Sequence, residues 1–239
     1  MAQAITQSGY VLHQKAYRET SALVTFFTPE QGKLTAVVRG LRSGQKGAAA
    51  KRALCQPFQP LHLSWREGRG ELVTLHSMEA AGIRFPLMGE ASYCGLYVNE
   101  LMYRLLYPGV AMTPFYRAYE QTLYQLADAK DRAQQAWQLR QFEWVLLDQL
   151  GVRIEFRQSL DGQPIDPHAH YAFAPDAGFW PVGPNSIELT VPGHCLLAFA
   201  QGDYDAACQK PWRFIFRTAL TQALNGQPIQ ARALFSQDT

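Results

Sequence analysis

Apolar and polar positions alternate with a period of two through the first third of the chain, and with a period near 3.6 beyond it. Residues 10–12 open a strand, and residues 21–28 (Ser-Ala-Leu-Val-Thr-Phe-Phe-Thr) form a second from β-branched and aromatic side chains. Pro29-Glu30-Gln31-Gly32 is a turn, and residues 33–39 return as a third strand, closing a hairpin. Residues 61–65 and 71–75 flank the turn Arg66-Glu67-Gly68-Arg69-Gly70 and predict a second hairpin. Five short strands in residues 1–80, with a longer excursion after the third, match a small closed barrel of the OB type. Alternation puts Phe26 and Phe27 on opposite faces, so at most one of them belongs to the barrel core.

Helical spacing takes over at Tyr93, Leu96, Tyr97, Leu101 and Leu105, and Pro108-Gly109 ends that helix. Thr113-Pro114 starts a second, which runs to about Ala127, and a third extends over residues 131–150 with Gly151 as its stop. These three are expected to form a bundle over residues 81–151. Strand-like pieces at 153–156, 170–174 and 178–182 then alternate with turns at Asp161-Gly162, Pro164 and Pro184-Asn185, as a small insertion spanning 152–190. Helices opening at Pro192 and Pro211, with a last turn holding Ile229, Ala233, Leu234 and Phe235, occupy 191–239 and are expected to complete the bundle. The fold class is α+β and multidomain.

Composition adds ample core material and no sign of wholesale disorder, with 47% hydrophobic and 18% charged residues. No stretch is long and apolar enough to span a membrane, and the N-terminus lacks the features of a signal peptide, so a cytoplasmic location is expected. The cysteines Cys55, Cys94, Cys195 and Cys208 form no CxxC pair and are expected to be reduced, mostly buried thiols. Asp166, His168 and His170 have strand spacing, but two histidines without a further defined ligand do not make a metal site. No HExxH, P-loop, GxSxG or dinucleotide fingerprint occurs, and no cofactor is expected.

Charge sharpens the picture. Residues 1–80 hold ten Lys or Arg against five Glu, whereas residues 81–239 hold twelve against fifteen Asp or Glu. Arg39, Arg42, Lys46, Lys51 and Arg52 follow one another on a glycine-rich loop without an acid between them. With Lys33, Arg66 and Arg69 they are candidate contacts to a nucleic-acid backbone, which suits mobile cations because it releases counterions on binding. The aromatics available to stack on bases are Tyr10, Tyr17, Phe26, Phe27 and Trp65, although core packing is the favoured reading for any one of them, since a small barrel must fill its interior. On the third helix Arg140 stands among Trp137, Leu139 and Phe142, with Arg132 upstream; it could receive a carboxylate or simply pair with Glu143 or Asp131.

Taken together, Val11-Leu12-His13, Phe27-Thr28-Pro29-Glu30-Gln31-Gly32-Lys33, Val38-Arg39-Gly40-Leu41-Arg42-Ser43, Gly68-Arg69-Gly70-Glu71-Leu72-Val73-Thr74-Leu75, Tyr97-Val98-Asn99-Glu100-Leu101 and Leu139-Arg140-Gln141-Phe142-Glu143 resemble the bacterial RecO family in order and spacing. The resemblance covers nearly the whole chain and is looser after residue 151. It implies an OB barrel followed by a helical domain. It also implies an insertion that in many relatives is a four-cysteine zinc finger, and residues 156–181 of this chain contain no cysteine. The family is a recombination mediator in DNA repair. It binds single- and double-stranded DNA and anneals complementary strands. With RecR it helps load RecA at gaps coated by single-strand-binding protein, whose acidic, Phe-ended tail it recognises. By that resemblance Arg132, Arg140 and Phe142 become the candidate tail site. A protein adaptor and a nuclease are the alternatives.

Overall fold

A computed structural model describes residues 4–45, 47–66, 72–183 and 189–236. The chain divides into two compact units, Met1–Ala129 with Ile229–Thr239, and Lys130–Pro228. This partition differs from the boundaries expected at 80, 151 and 190. The helices expected to form one bundle fall into both units, because helical periodicity marks which face is apolar but not which surface covers it.

In the first unit, β1 (Ala4–Tyr17), β2 (Ser21–Thr28), β3 (Gly32–Val38), β4 (Leu61–Arg66) and β5 (Leu72–Ala80) close into a barrel of order β1-β2-β3-β5-β4. The two predicted hairpins are antiparallel, and the barrel closes through a parallel β3–β5 pairing and an antiparallel β1–β4 pairing. This is an OB-type barrel. Inward positions carry Val24, Phe26, Leu34, Ala36, Val38, Leu61, Leu63 and Trp65 in one core. The excursion after β3, expected as an irregular loop, contains a short helix α1 (Ala48–Leu54). Its three consecutive alanines have the highest helix propensity, which the neighbouring glycines mask in a sequence window.

Two further helices, α2 (Gly89–Leu105) and α3 (Thr113–Asp128), belong to the same unit. They change the reading of β2. Phe26 and Phe27 are both fully buried, Phe26 in the barrel core and Phe27 against Phe115, Tyr116 and Tyr119 of α3. Alternation is intact, but the outer face of β2 is covered, so both faces are apolar. Gly32 makes the close approach possible: it has φ +55°, and a Cβ there would lie 2.2 Å from the Val110 carbonyl oxygen.

A buried polar chain ties barrel to helices. The Tyr119 hydroxyl donates to Asn99 Oδ1 at 2.8 Å, and Asn99 Nδ2 donates to the Val11 carbonyl at 3.2 Å. Tyr119 is 0% exposed, and burial raises its pKa. Tyr119→Phe therefore leaves a buried amide oxygen without this donor. Urea unfolding is expected to register a loss of about 1–3 kcal/mol, and an unchanged midpoint would mean the network carries no stability. The unit ends with a 3-10 turn (Gln230–Ser236) against α2, where Glu100 accepts the backbone N–H groups of Gln230 and Ala231 at 2.8 and 2.7 Å.

In the second unit, α4 (Arg132–Gln149) and α6 (Gln209–Ala223) pack together beside α5 (Gly193–Gln201) and a sheet of order β7-β6-β8, with β6 at His170–Ala174, β7 at Gly178–Val182 and β8 at Val191–Pro192. Residues 153–156, expected as a strand, alternate buried Ile154 and Phe156 with exposed Arg153 and Glu155, but no strand pairs with them among the described residues. The expected turn at Pro184-Asn185 lies outside the described residues. The expectation of four free thiols is also corrected. Cys55 and Cys94 are free and buried, whereas Cys195 and Cys208, thirteen apart, form a disulfide between α5 and the turn leading into α6. Their Cα atoms are 5.3 Å apart, a proximity that only the packed helices reveal.

Candidate nucleic-acid interface

Strand register assembles the first site. One row of Cα partners crosses the whole barrel: Lys15 opposite Leu23, Leu23 opposite Val37, Val37 opposite Thr74 and Thr74 opposite Arg66. Lys15 and Arg66 at its ends are exposed, as is Arg39, two residues past Val37. The row runs obliquely over the barrel wall: Arg66 pairs with Ala4, at the other end of β1 from Lys15, and the antiparallel β4–β5 pairing sets the end of β4 beside the start of β5.

The loop after β3 is folded onto the β1–β2 turn, at the Lys15 end of that row. Arg42 N–H donates to the Thr20 carbonyl at 2.9 Å, and the Arg42 guanidinium donates to the Arg18 carbonyl at 3.3 Å. From α1, Lys51 Nζ donates to the Arg39 carbonyl at 2.9 Å, and Arg52 donates to the carbonyls of Leu41 and Ser43 at 3.2 and 3.3 Å. Lys51 and Arg52 thus remain exposed cations while their head groups brace the loop. The rim at the β1–β2 turn gathers Lys15, Arg18, Arg39, Arg42, Lys51 and Arg52, and the row of strand partners leads from it to Arg66. Lys15 and Arg18 are the ones sequence reasoning missed, since neither sits in a cationic run. The available signal was the polar stretch at residues 13–18, where β1 outruns its apolar segment.

Not every predicted cation joins. Lys46 and Arg69 lie outside the described residues. Lys33 is corrected: it is partly buried, its Nζ donates to the Tyr103 carbonyl of α2 at 2.8 Å, and desolvation lowers its pKa. Its role is to join barrel and helix. Among the five candidate aromatics, Tyr10, Phe26, Phe27 and Trp65 are core, and only Tyr17 keeps partial exposure, with Arg18 Cζ 5.1 Å from its ring centroid. Cys55, the residue that caps the C-terminus of α1, is part of the barrel core, and burial pushes its thiol up to about 11, so it is no nucleophile there.

The second site lies within the other unit. A cavity of about 280 Å3 is lined by Trp137, Arg140, Gln209, Lys210, Trp212 and Arg213. Arg140 takes part in two ways. It lines this cavity, and it pairs with the fully buried Glu143 at 2.8 Å, with its guanidinium 5.9 Å from the Phe216 ring centroid. The net positive charge of the cavity therefore comes from Lys210 and Arg213, which the sequence did not single out because they lie seventy residues and more from Arg140. Phe142 is corrected: it is 2% exposed and forms core. Arg132 begins α4 two helical turns before Arg140 and is not part of the cavity lining. Asp166 and His168 form a local turn, with the Asp166 carboxylate accepting the His168 N–H at 2.8 Å. With His170 they form no metal-ligand grouping among the described residues.

Family models described as Recombination protein O N terminal and Recombination protein O C terminal match residues 1–84 and 88–225. The chain is 42% identical to the DNA repair protein RecO of Pseudomonas aeruginosa (strain UCBPP-PA14), across 98% of this chain and 96% of that one. It is 39% identical to the DNA repair protein RecO of Pasteurella multocida (strain Pm70), across 97% and 94%. With the DNA repair protein RecO of Pseudoalteromonas atlantica (strain T6c) the identity is 38%, across 96% and 93%.

Proposed function

Because the chain belongs to the RecO family of DNA repair and recombination proteins, we propose that it is a recombination mediator that binds single- and double-stranded DNA and anneals complementary strands. The observation that carries this reading is the barrel rim and the row that leads from it, along which strand register and a braced loop arrange seven cations. Phosphates held there neutralise the rim and release counterions, which gives affinity without sequence preference. Neutralised strands repel each other less, so pairing of complementary bases proceeds faster. No covalent bond to the protein is formed or broken.

The partner side of the reading rests on the cavity between α4 and α6. A C-terminal carboxylate and its aromatic side chain fit a pocket with Arg140, Lys210 and Arg213 beside Trp137 and Trp212. That chemistry suits the acidic, Phe-ended tail of single-strand-binding protein. With RecR, tail capture would deliver the protein to coated gaps and aid RecA loading. If tail capture dominates, the protein is chiefly an adaptor.

Fluorescence anisotropy of labelled single strands across a salt series, with annealing followed on the same preparation, tests the reading. Tight, salt-steep binding and faster annealing are expected. Failure to bind at low salt, with retained affinity for an acidic Phe-terminated peptide by calorimetry, would leave the adaptor alone.

A further inference from the structure

The second unit is slightly acidic, with eight Lys or Arg against ten Asp or Glu in residues 130–228, yet five of those eight cations lie on α4 and α6. On α6 they form a stripe. Lys210, Arg213 and Arg217 are three and four residues apart, which places them on one helical face at steps of ~4.5 and ~6 Å along the axis. All three are exposed, and none makes an ion pair or side-chain hydrogen bond among the described residues. α6 carries no Asp or Glu at all. Only the first two cations line the cavity assigned above to a carboxylate tail; Arg217 lies beyond it.

Past Arg217 the stripe runs into an open groove of about 780 Å3 lined by Phe214, Arg217, Thr218, Thr221, Gln222 and Asn225. Its chemistry differs from the cavity. The Thr218 hydroxyl proton is engaged by the Phe214 carbonyl at 2.9 Å, and Gln222 Nε2 donates to Asp176 Oδ1 at 2.5 Å. What these two side chains have left to offer a ligand includes acceptor oxygens. The carboxylates of an acidic peptide present acceptors to acceptors there, and meet the Asp176 carboxylate as well. A DNA strand presents phosphates to the cations and base amino donors to the oxygens.

We propose that α6 holds a single strand of nucleic acid along Lys210, Arg213 and Arg217, with bases or sugars over the Thr218–Gln222 groove, as a strand site separate from the barrel rim. The proposal rests on the DNA-binding reading above and adds a second strand to it: an annealing protein then carries one strand on each unit. It also makes Lys210 and Arg213 common to strand and tail, so tail capture competes with the strand on this unit.

Arg217 separates the possibilities because it lies outside the tail cavity. The full chain, Arg217→Glu, the milder Arg217→Gln and a rim variant, Arg39→Glu, are compared in single-strand anisotropy over a salt series, in annealing, and in calorimetry with an acidic Phe-terminated peptide. Circular dichroism and thermal midpoints establish folding, and Arg217→Gln serves if the charge reversal is unstable. Arg217→Glu is expected to weaken strand binding about 3- to 10-fold, to reduce the salt slope by ~0.7, to slow annealing, and to leave peptide affinity within about twofold. Wild-type strand binding and annealing in both Arg217 variants, with a weakened Arg39→Glu, overturns the α6 site and leaves the rim reading standing. A loss confined to the peptide makes the stripe an acidic-peptide surface and also overturns it. No strand binding by the wild-type chain overturns both readings.

Discussion

Arg140→Ala is expected to lower folding stability by about 3–5 kcal/mol, because it removes the guanidinium from a carboxylate that is 0% exposed. The pair is 2.8 Å apart, Arg140 is 13% exposed, and the site is walled by Phe216 and the α4–α6 contact. Breaking one half of such a pair strands the other charge. Removing both charges together does not, so Arg140→Met with Glu143→Leu should recover most of the loss. Urea unfolding of the two single variants and the double variant measures this directly. Equal stability of wild type and Arg140→Ala would mean that Glu143 does not depend on the pair. The result also governs how the tail site is probed. An Arg140→Ala chain that fails to bind peptide has two explanations, whereas Lys210→Ala and Arg213→Ala remove charge from the cavity wall at exposed positions and keep the buried pair intact.

The barrel rim should respond more steeply in binding than in stability. Lys15 and Arg39 are exposed at the rim, and Arg66 is exposed at the far end of the row that leads from it. Reversing all three to Glu is expected to weaken single-strand binding about 100-fold or more near 0.1 M salt. The slope of log affinity against log salt should fall by ~2, or ~0.7 for each lost phosphate contact. Anisotropy at four or five salt concentrations gives both quantities. An unaltered slope would remove the rim from the interface. Lys51 and Arg52 are poor choices for this experiment, since they hold the backbone of residues 39–43 and their loss disorders the loop as well as discharging it. Lys33→Glu makes a useful contrast: with its ammonium spent on the Tyr103 carbonyl, the change should cost stability and leave the salt slope alone.

These cases mark what could be read in the sequence. Period-two alternation in residues 21–28 and 33–39, joined by Pro29-Glu30-Gln31-Gly32, located the first hairpin because turn chemistry and strand pattern are both local. The parallel β3–β5 pairing is not local, so the row that links β3 through Thr74 to Arg66 was visible only as a property of a barrel, not of those residues. Phe27 was misjudged because a strand's pattern says which residues share a face but not whether a helix such as α3 covers it. Lys33 and Phe142 illustrate the same limit. A cation in a basic segment and an aromatic beside an arginine look available until the neighbouring element is placed. Lys210, Arg213 and the Cys195–Cys208 bond depend on α4, α5 and α6 meeting across long stretches of chain, and no local spacing encodes that.

The 3-10 turn clamped by Glu100 has a consequence for biosynthesis. Residues 230–236 belong to the barrel's unit, yet they follow all of Lys130–Pro228 along the chain. At ~5–20 residues per second, a ribosome needs about 5–20 s to make the intervening unit. Throughout that interval α2 has been synthesised without the segment that covers it, and the Glu100 carboxylate lacks its two backbone donors. The first part of the molecule to be translated is thus the last to be finished, and a nascent chain stalled within the second unit would expose the vacant face of α2 to chaperones and proteases.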